Sequence, residues 1–554
     1  MEKAYFVLIK KFGYIDFLNI QKKAVEYTLE NKDLLVIAKT SAGKSLCYQL
    51  PALCQIGLTV IISPLKSLIN DQIDNLKKKN IECYTLYGDT LQSDKNLLYA
   101  KLLDNKDESI ILYTTPETLE YNQDFSNILR KIYKKNKIKR FVFDEAHTIS
   151  TWGHDFRPSY LKLDILRKNY KKVPITALTA TATPEVKADI ADILGLNNYE
   201  IITQSIIRNN LNIKIKKNSS NLQQKIVSLI KDNYLNQTGI IYCNSRKKCE
   251  EVNYVLKQNS LNSSFFHAGM DSDERTNIQS LWQKSKINII VATIAFGMGI
   301  DKENVRYIIH YNLPKNIESY YQEIGRAGRD GKKSDCILFH NEKDICIYKS
   351  QINKNISETE DSKEKMYYNN QLNKLDQLEL YLNNDIDCRQ FILNHYFGLK
   401  ENIKCNNCDN CLNPDKNYEK EDVTELSIKI TQVLKTLGES ANKTNIKKIL
   451  YDKEKKKNFF LNGSCINISP ILFDRTFVHL VTNNYIVENV KKKNDIWYNY
   501  LTLSNKAKTI DINKNKIELL SSKNKKTLEF FFNNKPEDKD KDFFVETKPY
   551  KNIT

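Results

Sequence analysis

The sequence predicts an α/β protein: two doubly wound parallel-sheet domains in tandem, then a smaller helical module and a helix-rich domain closed by a β-hairpin. Three observations carry this. First, short continuous apolar runs recur up to about residue 340, among them LLVIA (34–38), LTVIIS (58–63), SIILYT (109–114), RFVF (140–143), GIIYC (239–243), INIIVAT (287–293) and VRYIIHY (305–311). Strands without polar alternation are buried on both faces, as in parallel sheets covered by helices. Second, longer amphipathic stretches separate the runs, as the crossovers of parallel strands require. Third, the runs are too many for one sheet of ordinary size. The polar stretch 204–224 carries no nucleotide motif and sets a boundary near 204.

The domains are then 1–203, 204–342, 343–412 and 413–512, with a tail over 513–554. Residues 344–400 read as helices, and 388–411 hold a cysteine cluster. Residues 424–512 read as three helices followed by two strands, YIVENV and WYNYLTL, around the turn KKKND. That order fits a winged helix. The tail mixes Lys, Asn and acids and is expected to be mobile for most of its length.

The chain has 554 residues, 41% hydrophobic and 27% charged, which is ordinary for a globular protein. Gly 16 and Pro 11 are low, so collagen-like and Pro/Gly-rich disordered classes are excluded. The net charge of +18 suggests a polyanionic partner, nucleic acid or an anionic membrane surface. Lys- and Asn-rich codon usage explains the same excess. No apolar run approaches the roughly 18 residues of a membrane span, and the apolar core Tyr5–Ile9 is too short for a signal peptide. A reducing compartment is therefore expected, and the 12 cysteines are not read as a disulfide framework.

Three motifs point to nucleotide chemistry. Ala38-Lys39-Thr40-Ser41-Ala42-Gly43-Lys44-Ser45 follows the strand LLVI. Backbone N–H groups of such a loop cradle phosphates at a helix N-terminus, with Lys44 on the β/γ-phosphates and Ser45 on Mg²⁺. Asp144-Glu145-Ala146-His147 closes the strand RFVF. There Asp144 is placed to hold the metal and Glu145 to polarise the attacking water. In Gln322-Glu323-Ile324-Gly325-Arg326-Ala327-Gly328-Arg329, two arginines three apart are expected on one helix face, reaching a γ-phosphate between two domains. Separately, Cys388, Cys405, Cys408 and Cys411 offer four thiolates, enough to close a tetrahedral structural Zn²⁺ site.

These strings, with FGYIDFLNIQ (12–21), ISPLKSLINDQIDNL (62–76), LYTTPE (112–117), STWGHDFRPSY (150–160), ALTATATP (177–184), IIYCNSRKKCE (240–250) and VATIAFGMGIDK (291–302), resemble the RecQ family of superfamily 2 DNA helicases. They stand in family order over roughly residues 5–512. The resemblance implies two RecA-like domains, a RecQ zinc module and a winged helix. With only 42 residues after 512, no C-terminal accessory helical domain is expected.

The resemblance also implies site residues. Gln21 reads the adenine edge and Tyr14 stacks on the ring. Thr40, Ser41, Ala42, Gly43, Lys44 and Ser45 hold the phosphates, and Asp301 meets the nucleotide from the second domain. Gln322, Arg326 and Arg329 join Lys44, Asp144 and Glu145 in catalysis. Two departures stand out: Leu18 occupies the place of an arginine on the opposite adenine face, and Ser41 and Ala42 replace glycines. Single-stranded DNA is expected on Lys66, Trp152, Phe156, Arg157, Asn244, Ser245 and Arg246, with His154 beside them. Thr179, Thr181 and Thr183 bridge the ATP site to DNA. Aromatic stacking on bases tolerates any sequence, as a translocating motor needs. At the wing, Lys491, Lys492 and Lys493 grip duplex phosphates. Trp497 has two readings, a wedge at the fork or a core residue of the wing.

The implied function is an ATP- and Mg²⁺-dependent 3′→5′ DNA helicase with a structural Zn²⁺, acting on single-stranded and duplex or forked DNA, not at a membrane, and located with the DNA. RNA is the less favoured substrate. A DNA-stimulated translocase or annealing factor without net unwinding is the alternative enzyme, and a DNA-binding scaffold with an inactive motor is the non-enzymatic one.

Overall fold

The computed structural model describes the chain except residues 40–41, 105–106, 151–162, 219–220, 298–301, 400, 402–403, 413–417, 439–440, 453–460, 494–495, 511–515 and 523–554. Two compact units result: Met1–Leu412 with Glu488–Tyr500, and Asn413–Val487 with Leu501–Thr554.

In the first unit, strands β1 (Leu34–Ile37), β2 (Gly57–Ile62), β3 (Tyr84–Leu86), β4 (Ser109–Thr114), β5 (Ile138–Phe143), β6 (Ile175–Thr179) and β7 (Glu200–Thr203) form one sheet. Its order is β3-β4-β2-β5-β6-β1-β7, and its pairs are parallel. Alternate residues point to opposite faces. Leu35 and Ile37 enter one buried cluster, while Leu34 and Val36 enter another. Both faces are covered by helices, so the strands read as unbroken apolar runs. This order sets the carboxyl ends of β5, β6 and β1 side by side, where open α/β sheets bind ligands.

A second sheet follows, built from β8 (Leu211–Lys217), β9 (Thr238–Tyr242), β10 (Ser263–Phe266), β11 (Ile289–Ala292), β12 (Val305–His310) and β13 (Ser334–His340). Its order is β10-β11-β9-β12-β13-β8, again parallel. The fold class is thus two RecA-like lobes. Residues 204–224, expected to be a linker, are only partly so. Leu211–Lys217 pairs with β13 at the sheet edge, and a helix starts at Leu222. Only 204–210 connect the lobes.

The helical module after β13 shares the second lobe's core. Leu375, Leu378, Tyr381, Leu393 and Phe397 fall in one buried cluster with Ile308, Tyr320 and Leu338.

In the second unit, helices Thr424–Leu437, Lys443–Tyr451 and Pro470–Thr482 pack Ile430, Leu434, Ile446, Phe473 and Phe477 into one core. Two helix starts are capped by side chains: Asn442 accepts from Asn445 N, and Ser469 accepts from Ile471 N ahead of Pro470. β15 (Ile486–Lys493) and β16 (Ile496–Leu503) form the hairpin that follows these helices in the chain, and its Glu488–Tyr500 portion is counted with the first unit. The tail, expected to be mobile for most of its length, holds one strand among its described residues. β17 (Glu518–Ser522) pairs antiparallel with β14 (Tyr418–Asp422). Among the described residues, no helix is long and apolar enough to cross a membrane.

Candidate nucleotide site, interlobe cleft and metal centre

The first lobe places its polar groups at the ends of β1, β5 and β6. After β1, Gly43 adopts φ +70°, and a Cβ there would lie 2.3 Å from Gln21 Nε2. A side chain at 43 would strain the left-handed backbone and displace the Gln21 amide. Gln21 bridges two segments: its Nε2 donates to Gly43 O at 3.3 Å, and its Oε1 accepts from Leu18 N at 3.0 Å. Lys44 Nζ donates to Ala38 O at 3.1 Å. Burial pulls the Lys44 ammonium pKa down and Arg329 adds to this, against the attraction of Glu145 and Asp144.

Asp144 sits just past the end of β5. Its Oδ1 accepts from Glu145 N at 3.1 Å, and its Oδ2 from the buried Tyr48 hydroxyl at 3.3 Å. Glu145 takes φ +51°, a left-handed conformation that is uncommon for a residue with a side chain and costs local strain. Its Oε2 lies 3.3 Å from His147 Nδ1, and the same nitrogen is 3.0 Å from Thr179 Oγ1. Thr179 Oγ1 also accepts from Thr181 N at 3.1 Å. A continuous polar chain thus links β5 to the TATAT loop after β6. The two carboxyls are driven apart. Burial and the Glu145 charge raise Asp144 to about 6. Burial also pushes Glu145 up, but the hydrogen bond and charge of His147, with Lys44 and Arg326, outweigh it and hold Glu145 well below the usual range.

The second lobe contributes Arg326 and Arg329, and here the helical expectation fails. The helix Ile317–Ile324 carries Gln322 and ends at Gly325, so both arginines lie on the turns that follow. Gly325 itself stays right-handed (φ −60°), and the chain turns at Gly328, whose left-handed backbone (φ +53°) separates the two arginines and cannot continue a helix. The arginines still face the first lobe: Arg326 acts on the Glu145 charge and Arg329 on Lys44. Arg326 is buried, beside Gly297 and Tyr242.

Of the residues expected near the adenine, Tyr14 and Leu18 are both about half-exposed, and Lys79 Nζ stands 5.6 Å over the Tyr14 ring. Ala42 is buried, and Ser45 precedes the helix Leu46–Cys54.

A cleft of about 1280 Å³ opens between the lobes, lined by Lys66, Lys95 and Tyr121 from the first and Arg275, Gln279 and Ala295 from the second. Lys66 Nζ lies 2.5 Å from Asp89 Oδ2 and 5.3 Å over the Tyr87 ring. Asn244, Ser245 and Arg246 are exposed at the start of the helix Arg246–Gln258, which Ser245 caps through Lys248 N. Thr40, Ser41, Trp152, His154, Phe156, Arg157 and Asp301 lie outside the described residues. Lys491, Lys492 and Lys493 fall on β15 and Trp497 on β16.

Cys388, Cys405, Cys408 and Cys411 bring their sulfurs within 4.8 Å of one another. Cys405 Sγ and Cys411 Sγ are 3.9 Å apart, close to the roughly 3.8 Å edge of a tetrahedron with 2.3 Å Zn–S bonds. Backbone N–H groups already face two sulfurs: Arg389 N on Cys408 at 3.4 Å and Cys405 N on Cys388 at 3.3 Å. Such donors stabilise thiolates, so the donor set fits a closed structural Zn²⁺ site. Asp409 ties this site to the second lobe. It accepts from Arg389 Nε at 2.9 Å and from Ile215 N of β8 at 2.9 Å.

Sequence reasoning missed Tyr48, whose hydroxyl donates to Asp144, and the buried Arg208, which donates to the carbonyls of Gly325, Ala327 and Gly328. Tyr48 had a usable signal, a polar tip in an apolar helix four residues past Lys44. Arg208 had none, because its partners are distant backbone carbonyls.

Comparison with known proteins matches three family models: DEAD/DEAH box helicase over 18–189, helicase conserved C-terminal domain over 221–331, and RecQ zinc-binding over 342–412. The chain is 40% identical to ATP-dependent helicase SGS1 of Saccharomyces cerevisiae, over 75% of this chain and 29% of that protein. It is 39% identical to RecQ-like DNA helicase blm-1 of Caenorhabditis elegans, over 79% of this chain and 44% of that protein. With ATP-dependent DNA helicase Q1 of Pongo abelii it shares 32% identity over 91% of this chain and 77% of the relative. It spans less than half the length of the first two. Among solved structures, the DUF1998 helicase MrfA bound to DNA overlays with a TM-score of 0.52 at 19% identity, over 64% of this chain and 50% of that one. Mss116p bound to single-stranded RNA and AMP-PNP overlays at 0.51 and 17%, over 71% of this chain and 89% of that one. These two likenesses speak to the fold alone.

Proposed function

The chain belongs to the RecQ family of helicases, and from that membership we propose that it hydrolyses ATP to travel 3′→5′ along single-stranded DNA and unwind the duplex ahead. The observation that carries this is electrostatic. Lys44 and Glu145 of one lobe and Arg326 and Arg329 of the other lie within each other's fields. A nucleotide between them would join the lobes, and its hydrolysis would release them. The polarity follows from the family resemblance.

In this reading Lys44 holds the β/γ-phosphates, and Ser45 with Asp144 would hold Mg²⁺. The buried Asp144 carboxylate suits a cation. The metal supplies charge neutralisation on the phosphate oxygens. Glu145, kept ionised, orients the attacking water. Arg326 and Arg329 meet the charge that develops on the transferred phosphoryl group, and Gln322 stands one turn before them. Gln21 and Tyr14 face the adenine. The chain Glu145–His147–Thr179–Thr181 connects hydrolysis to the loop expected to touch DNA. Lys66 would exchange Asp89 for a DNA phosphate, and Asn244, Ser245 and Arg246 would bind further phosphates at a helix start. Trp152, Phe156 and Arg157 would couple the ATP state to the strand. Zn²⁺ on the four cysteines would have a structural role.

The test is unwinding of 3′-tailed against 5′-tailed duplexes, with ATP and with a non-hydrolysable analogue. Unwinding of the 3′-tailed substrate with ATP alone is expected. Equal DNA-stimulated hydrolysis without strand separation would favour the translocase or annealing reading. ATP hydrolysis indifferent to added DNA would remove both.

A further inference from the structure

The segment joining the lobes is a built bracket. Arg208, in the short connection 204–210, is buried and spends its guanidinium on the turn that bears the two arginines. Its Nη1 donates to Gly325 O at 2.9 Å, and its Nη2 to Ala327 O at 2.8 Å and Gly328 O at 2.6 Å. Asn210 Nδ2 adds bonds to Gly328 O at 2.8 Å and Lys332 O at 3.0 Å. These carbonyls follow the C-terminus of the helix Ile317–Ile324, where a fixed cation is favourable. The planar fork reaches these carbonyls from two separate nitrogens, which the single point of a lysine ammonium does not reproduce.

Arg208 is itself gripped from the helical module. Gln390 Oε1 accepts from Arg208 N at 2.6 Å, and Gln390 Nε2 donates to Arg208 O at 2.8 Å and Leu211 O at 3.2 Å. From the other side, Lys39 Nζ of the phosphate loop donates to Ile207 O at 3.2 Å. Three parts of the first unit thus converge on residues 207–208.

We propose that Arg208 is the positioning residue of the arginine turn, holding Arg326 and Arg329 at the depth where they meet the nucleotide, and that Gln390 sets Arg208 from the helical module. Arg208 touches no reacting group; it acts through the carbonyls of residues 325, 327 and 328. The inference rests on the reading of Arg326 and Arg329 as the groups that face the γ-phosphate.

The experiment compares Arg208→Lys, Gln390→Glu and Arg329→Ala in the full chain. Arg208→Lys keeps the charge at the helix end but replaces the two-nitrogen fork with a single ammonium. Gln390→Glu replaces the amide donor with a carboxylate against two carbonyl oxygens. Both are expected to lower the kcat of DNA-stimulated ATP hydrolysis by about 10- to 100-fold, the scale of a misplacement near 1 Å. The KM for ATP and the affinity for a fluorescent single-stranded oligonucleotide should stay within about twofold. A merely structural role would instead weaken nucleotide and DNA binding along with turnover. Full kcat in Arg208→Lys and Gln390→Glu, or parallel loss of binding and turnover, overturns the proposal. Arg329→Ala separates the two layers. If it retains full kcat, the underlying reading of the arginines fails; if it is inactive while Arg208→Lys is not, only the bracket fails. Asn210→Ala, which removes a peripheral pair of bonds, should show a smaller kcat loss with the same KM pattern.

Discussion

The two lobes of the first unit share a parallel-sheet plan but mount their polar groups differently. In the first lobe, Asp144 and Thr179 lie at or just beyond the carboxyl ends of β5 and β6, Lys44 lies on the turn between β1 and the helix Leu46–Cys54, and their partners, Tyr48, His147 and Ala38, belong to the same lobe. In the second, Arg326 and Arg329 ride on turns after a helix, and the hydrogen bonds from Arg208 that hold those turns come from the interlobe connection. The first lobe's groups are held from within the lobe, whereas the arginine turn is held from outside its own lobe's sheet. In the proposed reading, the first lobe binds nucleotide with groups it supports itself, and the second acts through a turn supported by the interlobe connection.

The largest expected effects test this division. Lys44→Ala should lose ATP binding and turnover together. Arg329→Ala should lose turnover by about 10³-fold or more, with ATP binding nearly intact. If the two variants gave the same kinetic pattern, the division between a binding lobe and an acting lobe would be wrong. Next comes Cys405→Ser. Zinc binding is worth about 10–16 kcal/mol in zinc-finger peptides, and the cysteines share a core with the second lobe. Bound zinc per chain should fall below one. In limited proteolysis the second lobe should open before the first, whereas simultaneous cleavage would contradict independent support of the first lobe. Gly43→Ala acts on the other side. Its left-handed backbone and the nearby Gln21 amide predict a loss of about 1–3 kcal/mol in stability. Combining it with Gln21→Ala should recover part of that loss. No recovery in the double-mutant cycle would assign the cost to backbone strain alone.

Legibility in the sequence divides along the same line. The first lobe's groups could be read because each motif is contiguous and abuts an apolar strand, so Lys44 and Asp144 announce both chemistry and location. The cysteines were legible from spacing alone, and the three helices of the second unit and the hairpin after them from periodicity and turn residues. The arginine pair is visible, but not its conformation: a spacing of three suggests a helix, although Gly328 between the two arginines, left-handed in the structure, marks the break. Arg208 was not legible, since its acceptors are backbone carbonyls 117 to 120 residues away and any residue supplies a carbonyl. The pairing of β14 with β17 was hidden for a related reason. YEKED is polar throughout, and a strand with no apolar face leaves no periodic signal.

The smallest effect concerns the second unit, which lies outside both lobes and serves as their control. His479 sits half-buried in the helix Pro470–Thr482, with Asn483 Nδ2 3.3 Å from its Nδ1 and 2.9 Å from its carbonyl oxygen. An amide N–H aimed at Nδ1 requires a lone pair there, so this geometry favours the neutral ring. Burial, and then the Lys506 charge, lower the His479 pKa below its ordinary value; Lys506 Nζ is fixed on Asn483 O at 3.0 Å. The sign follows from linkage: a histidine with a depressed folded pKa takes up its proton more readily when unfolded. Its contribution to stability is complete above about pH 6.5, the unfolded value. It declines as pH falls from there toward the folded value. The unfolding transition of this unit should move down between pH 8 and pH 5.5, by a margin that His479→Gln reduces. The ATP-dependent transition of the lobes should not respond to that substitution. A pH shift of the same size in His479→Gln would place the titrating group elsewhere. A matching shift in the lobes would mean that the control is not independent of them.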